Sequence, residues 1–251
     1  MPHTTRPRGD HYPRAPSEQE WKRLSSAQRK AVVATLPDEV TDAEMSPPEG
    51  DLHFLGKVSA LDTLKNHFKR KGSKVYLASE LPVYYPAERR FAPDLLAVVG
   101  VDDHERGKWV VSAEGTGLHV VMEVHVGGDR KKDAVDNVER YARLGIPEYF
   151  IFDRNVPALI AYRLGRSKKY LPIVPQHGRY RSQELGLDLQ LENGKLRFYD
   201  GNALLLETAE LADRLEKMVD DLQERLAAET RLREAAERRL AELQKPRKPR
   251  K

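Results

Sequence analysis

The chain has 251 residues, 33% of them charged, and no cysteine, which excludes disulfides, thiolate nucleophiles and thiolate-bound zinc. Mean hydropathy is −0.66 and no apolar run nears the roughly 18 residues of a membrane-spanning helix, so the expected protein is cytoplasmic with no membrane partner. The formal charge is +4, but Lys245, Arg247, Lys248, Arg250 and Lys251 supply five positive charges, and without them 38 basic residues face 39 acidic ones; total charge is therefore no argument that the folded part binds nucleic acid.

Residues 1–16 contain Pro2, Pro7, Pro13 and Pro16 and read as a loose leader, without the apolar segment of a secretory signal. Ser17 with Glu20, and Ser25 with Gln28, are capping boxes announcing two short helices. Ala31, Val32, Ala34 and Leu36 give the second an apolar side, and Pro37 ends it. Residues 1–37 are thus expected to precede the main domain, and 38–50, with Pro47-Pro48, to be a connection. From about Asp51 to Arg70, Leu52, Leu55, Val58, Leu61, Leu64 and Phe68 recur at helical spacing. Lys69, Arg70 and Lys71 suit the end of that helix, and Gly72 its C-cap.

Strands are expected at 74–78, 81–85, 94–101 and 118–124, all rich in Val, Leu and Tyr. A helix over 132–144, stopped by Gly145 and Pro147, leads at once to a strand over 148–153. Strand, helix, strand in quick succession is a crossover unit, which puts 118–124 and 148–153 in one sheet. Shorter antiparallel strands follow at 158–163, 170–174, 179–182 and 187–191, and Asn193-Gly194 suits a tight hairpin into 196–198. The fold class is α/β: a mixed central sheet flanked by helices over residues 38–200, followed by a long C-terminal helix. Between Ala203 and Gln244 there is neither proline nor glycine. A four-three repeat runs through Ala212, Leu215, Val219, Leu222 and Leu226, breaks at Glu229 and Arg233, and resumes at Ala236, Leu240 and Leu243. Residues 203–244 read equally as an imperfect coiled coil that could make a homo-oligomer and as a solvated helix held by Glu–Arg pairs. Residues 245–251 are expected to form a disordered basic tail.

One constellation could carry chemistry. Pro93-Asp94 opens an apolar strand, and Glu123 lies near the end of another, in Val120-Val121-Met122-Glu123-Val124-His125. Strand alternation points Glu123 and His125 the same way. Two acids on neighbouring central strands are costly to bury as charges, and a divalent ion would offset the cost. Oxygen-only ligands favour Mg2+ or Mn2+. Spacing alone favours a structural reading of both acids, because carboxylates at strand ends are common.

A resemblance adds weight. Val121-Met122-Glu123-Val124, then Asp133, then Tyr141-Ala142-Arg143-Leu144-Gly145-Ile146-Pro147-Glu148-Tyr149-Phe150-Ile151-Phe152-Asp153 resemble the Uma-two family of restriction-endonuclease-like proteins, a branch of the PD-(D/E)XK nuclease superfamily. The match extends from Glu44-Met45-Ser46-Pro47-Pro48, through His53, to Tyr199-Asp200. It implies a metal-dependent endonuclease that cleaves nucleic-acid phosphodiesters, of DNA foremost, with a metal-activated water. Asp94 and Glu123 would hold the metal. His125 stands where the superfamily usually has its lysine, and would serve as the auxiliary catalytic group. Asn137 stands where many family members have a helical lysine; Arg130, Lys131 and Lys132 are the nearest basic substitutes, or phosphate contacts, or plain surface. Glu44 would complete the metal shell or lie in a surface connection, and Glu80 is a similar outsider. His53 would approach the site or merely pack a helix end; His119 would support the site or be buried. The loss of the lysine at Asn137 favours a second reading: a catalytically inactive nuclease fold that binds nucleic acid or a protein through its coiled coil and basic tail.

Overall fold

The computed structural model describes residues 12–40, 50–126 and 135–243. The chain divides into two compact units, residues 1–205 and 206–251. In the first unit, α1 (Glu18–Arg23) and α2 (Ser26–Thr35) begin at their capping boxes. Ser17 and Ser25 each accept from the backbone three residues on, and Glu20 and Gln28 return the bond.

The central sheet has six strands: β1 (Val75–Ala78), β3 (Leu95–Val99), β5 (Val120–His125), β6 (Glu148–Asp153), β7 (Ala158–Leu164) and β8 (Tyr170–Pro172), in that spatial order. Among the described residues of this sheet, only β5 and β6 pair in parallel, joined by α5 (Asn137–Leu144), which Gly145 ends in the left-handed conformation at φ 78°. The crossover expected between these two strands is therefore present. A second, antiparallel sheet has the order β12 (Ala203–Leu204), β11 (Lys195–Asp200), β10 (Asp188–Glu192), β9 (Arg179–Arg181). Asn193 and Gly194 both have positive φ, 49° and 75°, as a two-residue hairpin turn requires. A small parallel pair, β2 (Val83–Tyr84) with β4 (Trp109–Val110), and a single turn, α4 (Val111–Glu114), complete the unit. The strand expected over 81–85 shrinks to two residues because prolines at 82 and 86 bracket it.

Alternation along the central strands builds two cores. Leu95, Ala97, Val120, Met122 and Val124 face the helix α3 (Gly50–Lys71) and the second sheet, through Ala60, Leu64, Phe68, Leu187, Leu189 and Phe198. Leu96, Val98, Val121 and Ile151 face the other way, toward Trp109, Tyr141 and Ile146. Both sides of the sheet's middle are covered, which is why its strands read as unbroken apolar runs.

α3 departs from the expected pattern. Its C-terminal half buries Leu64 and Phe68, but its N-terminal half buries His53, Gly56 and Lys57 and leaves Leu52, Leu55 and Val58 exposed. The inward stripe there is polar because that half of the helix lies against the ends of β3 and β5, where carboxylates await it.

The second unit is built on α6 (Thr208–Leu243), 36 residues long. From Ala212 to Ala241 every residue is exposed. Three pairs at i,i+4 spacing brace it: Arg225–Asp221, Arg233–Glu237 and Arg238–Glu234. Among the described residues no helix is long and apolar enough to cross a membrane.

Candidate active site

β3 and β5 pair antiparallel, with Leu95 opposite Met122 and Leu96 opposite Val121. Continued by one residue, that register brings Asp94 level with Glu123. The two acids grip each other's strands. The Asp94 N–H donates to Glu123 Oε2 at 3.1 Å, and the Val124 N–H donates to Asp94 Oδ2 at 2.8 Å. Ser79 Oγ fixes the Asp94 carbonyl at 2.6 Å.

α3 supplies the surroundings of Asp94. His53 Nε2 lies 3.1 Å from Asp94 Oδ2; an ionised carboxylate only accepts, so this nitrogen carries the proton. One turn on, on the same helix face, Lys57 places Nζ 3.8 Å from Asp94 Oδ1 and bonds Glu80 Oε1. Lys57 is only 6% exposed, and the two carboxylates offset the cost of burying its charge. Glu80 holds a left-handed φ of 53°, an uncommon state for a non-glycine residue. Gly56 lets the helix come this close: a Cβ there would stand 3.0 Å from Val124 Cγ1 and 3.1 Å from Arg154 Cδ. Arg154, just past β6, anchors the start of the helix by donating to the Leu52 carbonyl at 2.6 Å.

α5 supplies the surroundings of Glu123. The Tyr141 hydroxyl donates to Glu123 Oε1 at 2.7 Å. Burial, and next the Glu123 charge, push the Tyr141 pKa well above the ordinary phenol value. It therefore stays protonated and acts toward Glu123 as a donor. Tyr149 packs edge-on against its ring at 5.0 Å and fixes its aim. Asn137, one turn earlier on the same face, is also buried.

His125 ends β5, 4% exposed, on the face of Glu123 and opposite Asp153 in the ladder with β6. His119 is away from the acids, at the far end of β3, where its Nδ1 accepts the Val99 N–H at 3.3 Å. Glu44, Arg130, Lys131 and Lys132, together with Asp133, lie outside the described residues. Lys57 is the site residue that sequence reasoning passed over. Its signal was the stripe His53, Lys57, Ala60, Leu64 at spacings of four, three and four, hidden beside a more apolar one.

Among the described residues no group of three or more His, Asp or Glu side chains is arranged to hold a metal ion. The donor set at the site is two carboxylates, which is incomplete as a protein cage. A pair of carboxylates is the kind of donor set used by divalent ions that keep several waters and take substrate phosphate as a further ligand.

The architecture is thus a mixed-sheet α/β domain with an acidic pair at the ends of two adjacent central strands. Residues 29–196 match the Uma2 family, described as "Putative restriction endonuclease", and the chain belongs to that family. Among solved structures, a "putative nuclease belonging to DUF820" from Anabaena variabilis ATCC 29413 is similar, with 9% sequence identity and a TM-score of 0.46 over 62% of this chain and 89% of that one. No curated protein matches the chain.

Proposed function

We propose that the protein is a magnesium- or manganese-dependent endonuclease acting on nucleic acid, DNA foremost. The observation that supports it is the reciprocal bonding of Asp94 and Glu123, two acids held level at the ends of β3 and β5, in a chain of an endonuclease family. Asp94 and Glu123 would hold the ion, and His125 remains a candidate base on the Glu123 face. A divalent ion bound there would make water more acidic and neutralise charge on a phosphoryl group. The chain's own residues orient that pair: Tyr141 fixes Glu123, and His53 and Val124 fix Asp94. Lys57, beside Asp94, supplies the ammonium that Asn137 and His125 do not. It would stabilise negative charge developing on the phosphate. Basic residues 245–251 would bind phosphates without regard to sequence; deleting them should lower the salt slope of binding, by about 0.9 for each phosphate they neutralise. Residues 203–244 we read as the place where copies of the chain associate.

The test is cleavage of plasmid DNA and of RNA, with Mg2+ and with Mn2+, by the wild type, Asp94→Ala and Glu123→Ala. The wild type should cut and both variants should lose activity by roughly a thousandfold. A wild type that neither cuts either polymer nor binds metal by calorimetry ends the enzyme reading. One observation favours a second reading, a catalytically silent binding module: the buried Lys57 ammonium already lies 3.8 Å from Asp94. Under it, nucleic-acid affinity would be the same with and without metal.

A further inference from the structure

α6 carries an apolar seam that its own unit leaves uncovered. Leu215, Val219, Leu222, Leu226 and Leu240 are between 50% and 64% exposed. They fall on the alternating three- and four-residue spacing of a two-stranded coiled coil. Two charged residues interrupt the seam at consecutive positions, Glu229 and Arg233. Their signs decide what can cover it. In a parallel, in-register pair, Glu229 would face Glu229 and Arg233 would face Arg233, placing like charges at close quarters in the seam. Reversing one helix brings the two kinds of seam position opposite each other. The antiparallel register that sets Leu222 against Leu240, and Leu226 against Ala236, also sets each Glu229 against Arg233 of the other helix. A slide of one heptad either way would put Glu229 against Leu226 or Leu240 instead. Only one alignment satisfies both the apolar seam and the two charges, and a polar seam position is a known means of specifying register.

We propose that α6 pairs with α6 of a second copy of this chain in an antiparallel two-helix coiled coil, locked in register by two reciprocal Glu229–Arg233 ion pairs. The local charge pattern agrees with that direction. The N-terminal stretch 210–221 has five acidic residues (Glu210, Asp213, Glu216, Asp220, Asp221) against Arg214 and Lys217, while the sequence after Leu243 is basic. Antiparallel pairing puts the acidic end of one helix toward the basic end of the other, and parallel pairing puts like with like. Arg233 now bonds Glu237 within its own helix at 2.9 Å, so pairing shares that guanidinium between two carboxylates, which its five donors allow.

Charge reversal tests this on the full chain. Sedimentation equilibrium should give a dimer for the wild type. Glu229→Arg and Arg233→Glu should each weaken it by about tenfold or more, and the double variant Glu229→Arg/Arg233→Glu should restore it. A parallel dimer would show no such rescue, since the double exchange leaves like facing like. The chain has no cysteine, so introduced thiols report cleanly. Leu222→Cys/Leu240→Cys should form intermolecular disulfides and Leu222→Cys alone should not. Circular dichroism of each variant shows that the helix is retained. A wild-type monomer at every concentration loaded, a dimer indifferent to Glu229→Arg, or a disulfide through Leu222→Cys alone would each overturn the proposal. None of these readouts depends on nuclease activity.

Discussion

Asp94 and Glu123 stand level on adjacent strands, yet the protein surrounds them differently. Asp94 meets α3 and its two basic side chains, His53 at 3.1 Å and Lys57 at 3.8 Å. Glu123 meets α5 and a neutral phenol, Tyr141, at 2.7 Å. A buried ammonium faces the first carboxylate, and a buried hydroxyl aims the second. Removing charge at the two positions therefore has unequal structural cost, even if both positions serve one reaction.

The largest effect follows from that inequality. Asp94→Asn keeps an oxygen for the Val124 N–H but leaves the buried Lys57 with Glu80 alone, whose side chain is 46% exposed. We expect a loss of about 2 kcal/mol, below the full cost of breaking a buried pair because Glu80 remains. Glu123→Gln leaves both carboxylates beside Lys57 in place and keeps an acceptor for the Asp94 N–H, so its loss should be smaller, about 1 kcal/mol or less. Urea unfolding of both variants checks this; equal losses would show that Lys57 does not depend on Asp94. In the nuclease assay the ranking vanishes, since both substitutions remove a charge that the proposed ion requires.

Gly56→Ala probes the same contrast from the α3 side. The added methyl would meet Val124 Cγ1 at 3.0 Å and Arg154 Cδ at 3.1 Å. Arg154 can swing away, but Val124 is packed in the strand that carries Glu123, so the helix must retreat by a few tenths of an ångström. Overpacking of this kind costs about 1 kcal/mol after the gain in helix propensity. The retreat carries His53 and Lys57 away from Asp94, so cleavage should fall while the fold survives. Unchanged cleavage would mean that the distance from α3 to the acids is not critical.

How much of this could be read beforehand differs by element. The β5–α5–β6 crossover was legible because its strands are buried on both faces and Gly145 with Pro147 punctuates the helix. The hairpin at Asn193-Gly194 and the two capping boxes were legible because their signals are local and chemical. β12 was not: Ala203–Leu204 reads as the start of the long helix, but pairing with Tyr199 and Asp200 on β11 overrides that propensity. The short β4 lacks any periodicity to detect. At the site, the acidic pair was legible as strand-end carboxylates. Its basic partner was not, because a lysine in a helix is ordinarily surface, and only the tertiary approach of α3 makes Lys57 a buried one.

The smallest effects concern Tyr141. Replaced by Phe, it leaves Glu123 Oε1 without this donor, at a cost of about 1 kcal/mol, and loosens the aim of a carboxylate whose charge is intact. The same hydroxyl adds a pH dependence. Its folded pKa lies above the ordinary value of 10.0 because burial and Glu123 oppose the phenolate. Below about pH 9 both folded and unfolded states hold the proton and the group contributes no slope. Above pH 10 the unfolded chain loses the proton while the folded one keeps it, so stability falls as pH rises. The loss attributable to this one group is about 0.4 kcal/mol at pH 10, steepening toward about 1.4 kcal/mol per pH unit. Tyr85, raised to about 12 mainly by burial, adds a similar decline over the same range. Tyr141→Phe should therefore unfold more readily than wild type at pH 7, and the gap should narrow by pH 10.5 in matched urea titrations. A gap constant with pH would mean that Tyr141 ionises as easily in the folded protein as in the unfolded chain, and the neutral donor assigned to Glu123 would be lost.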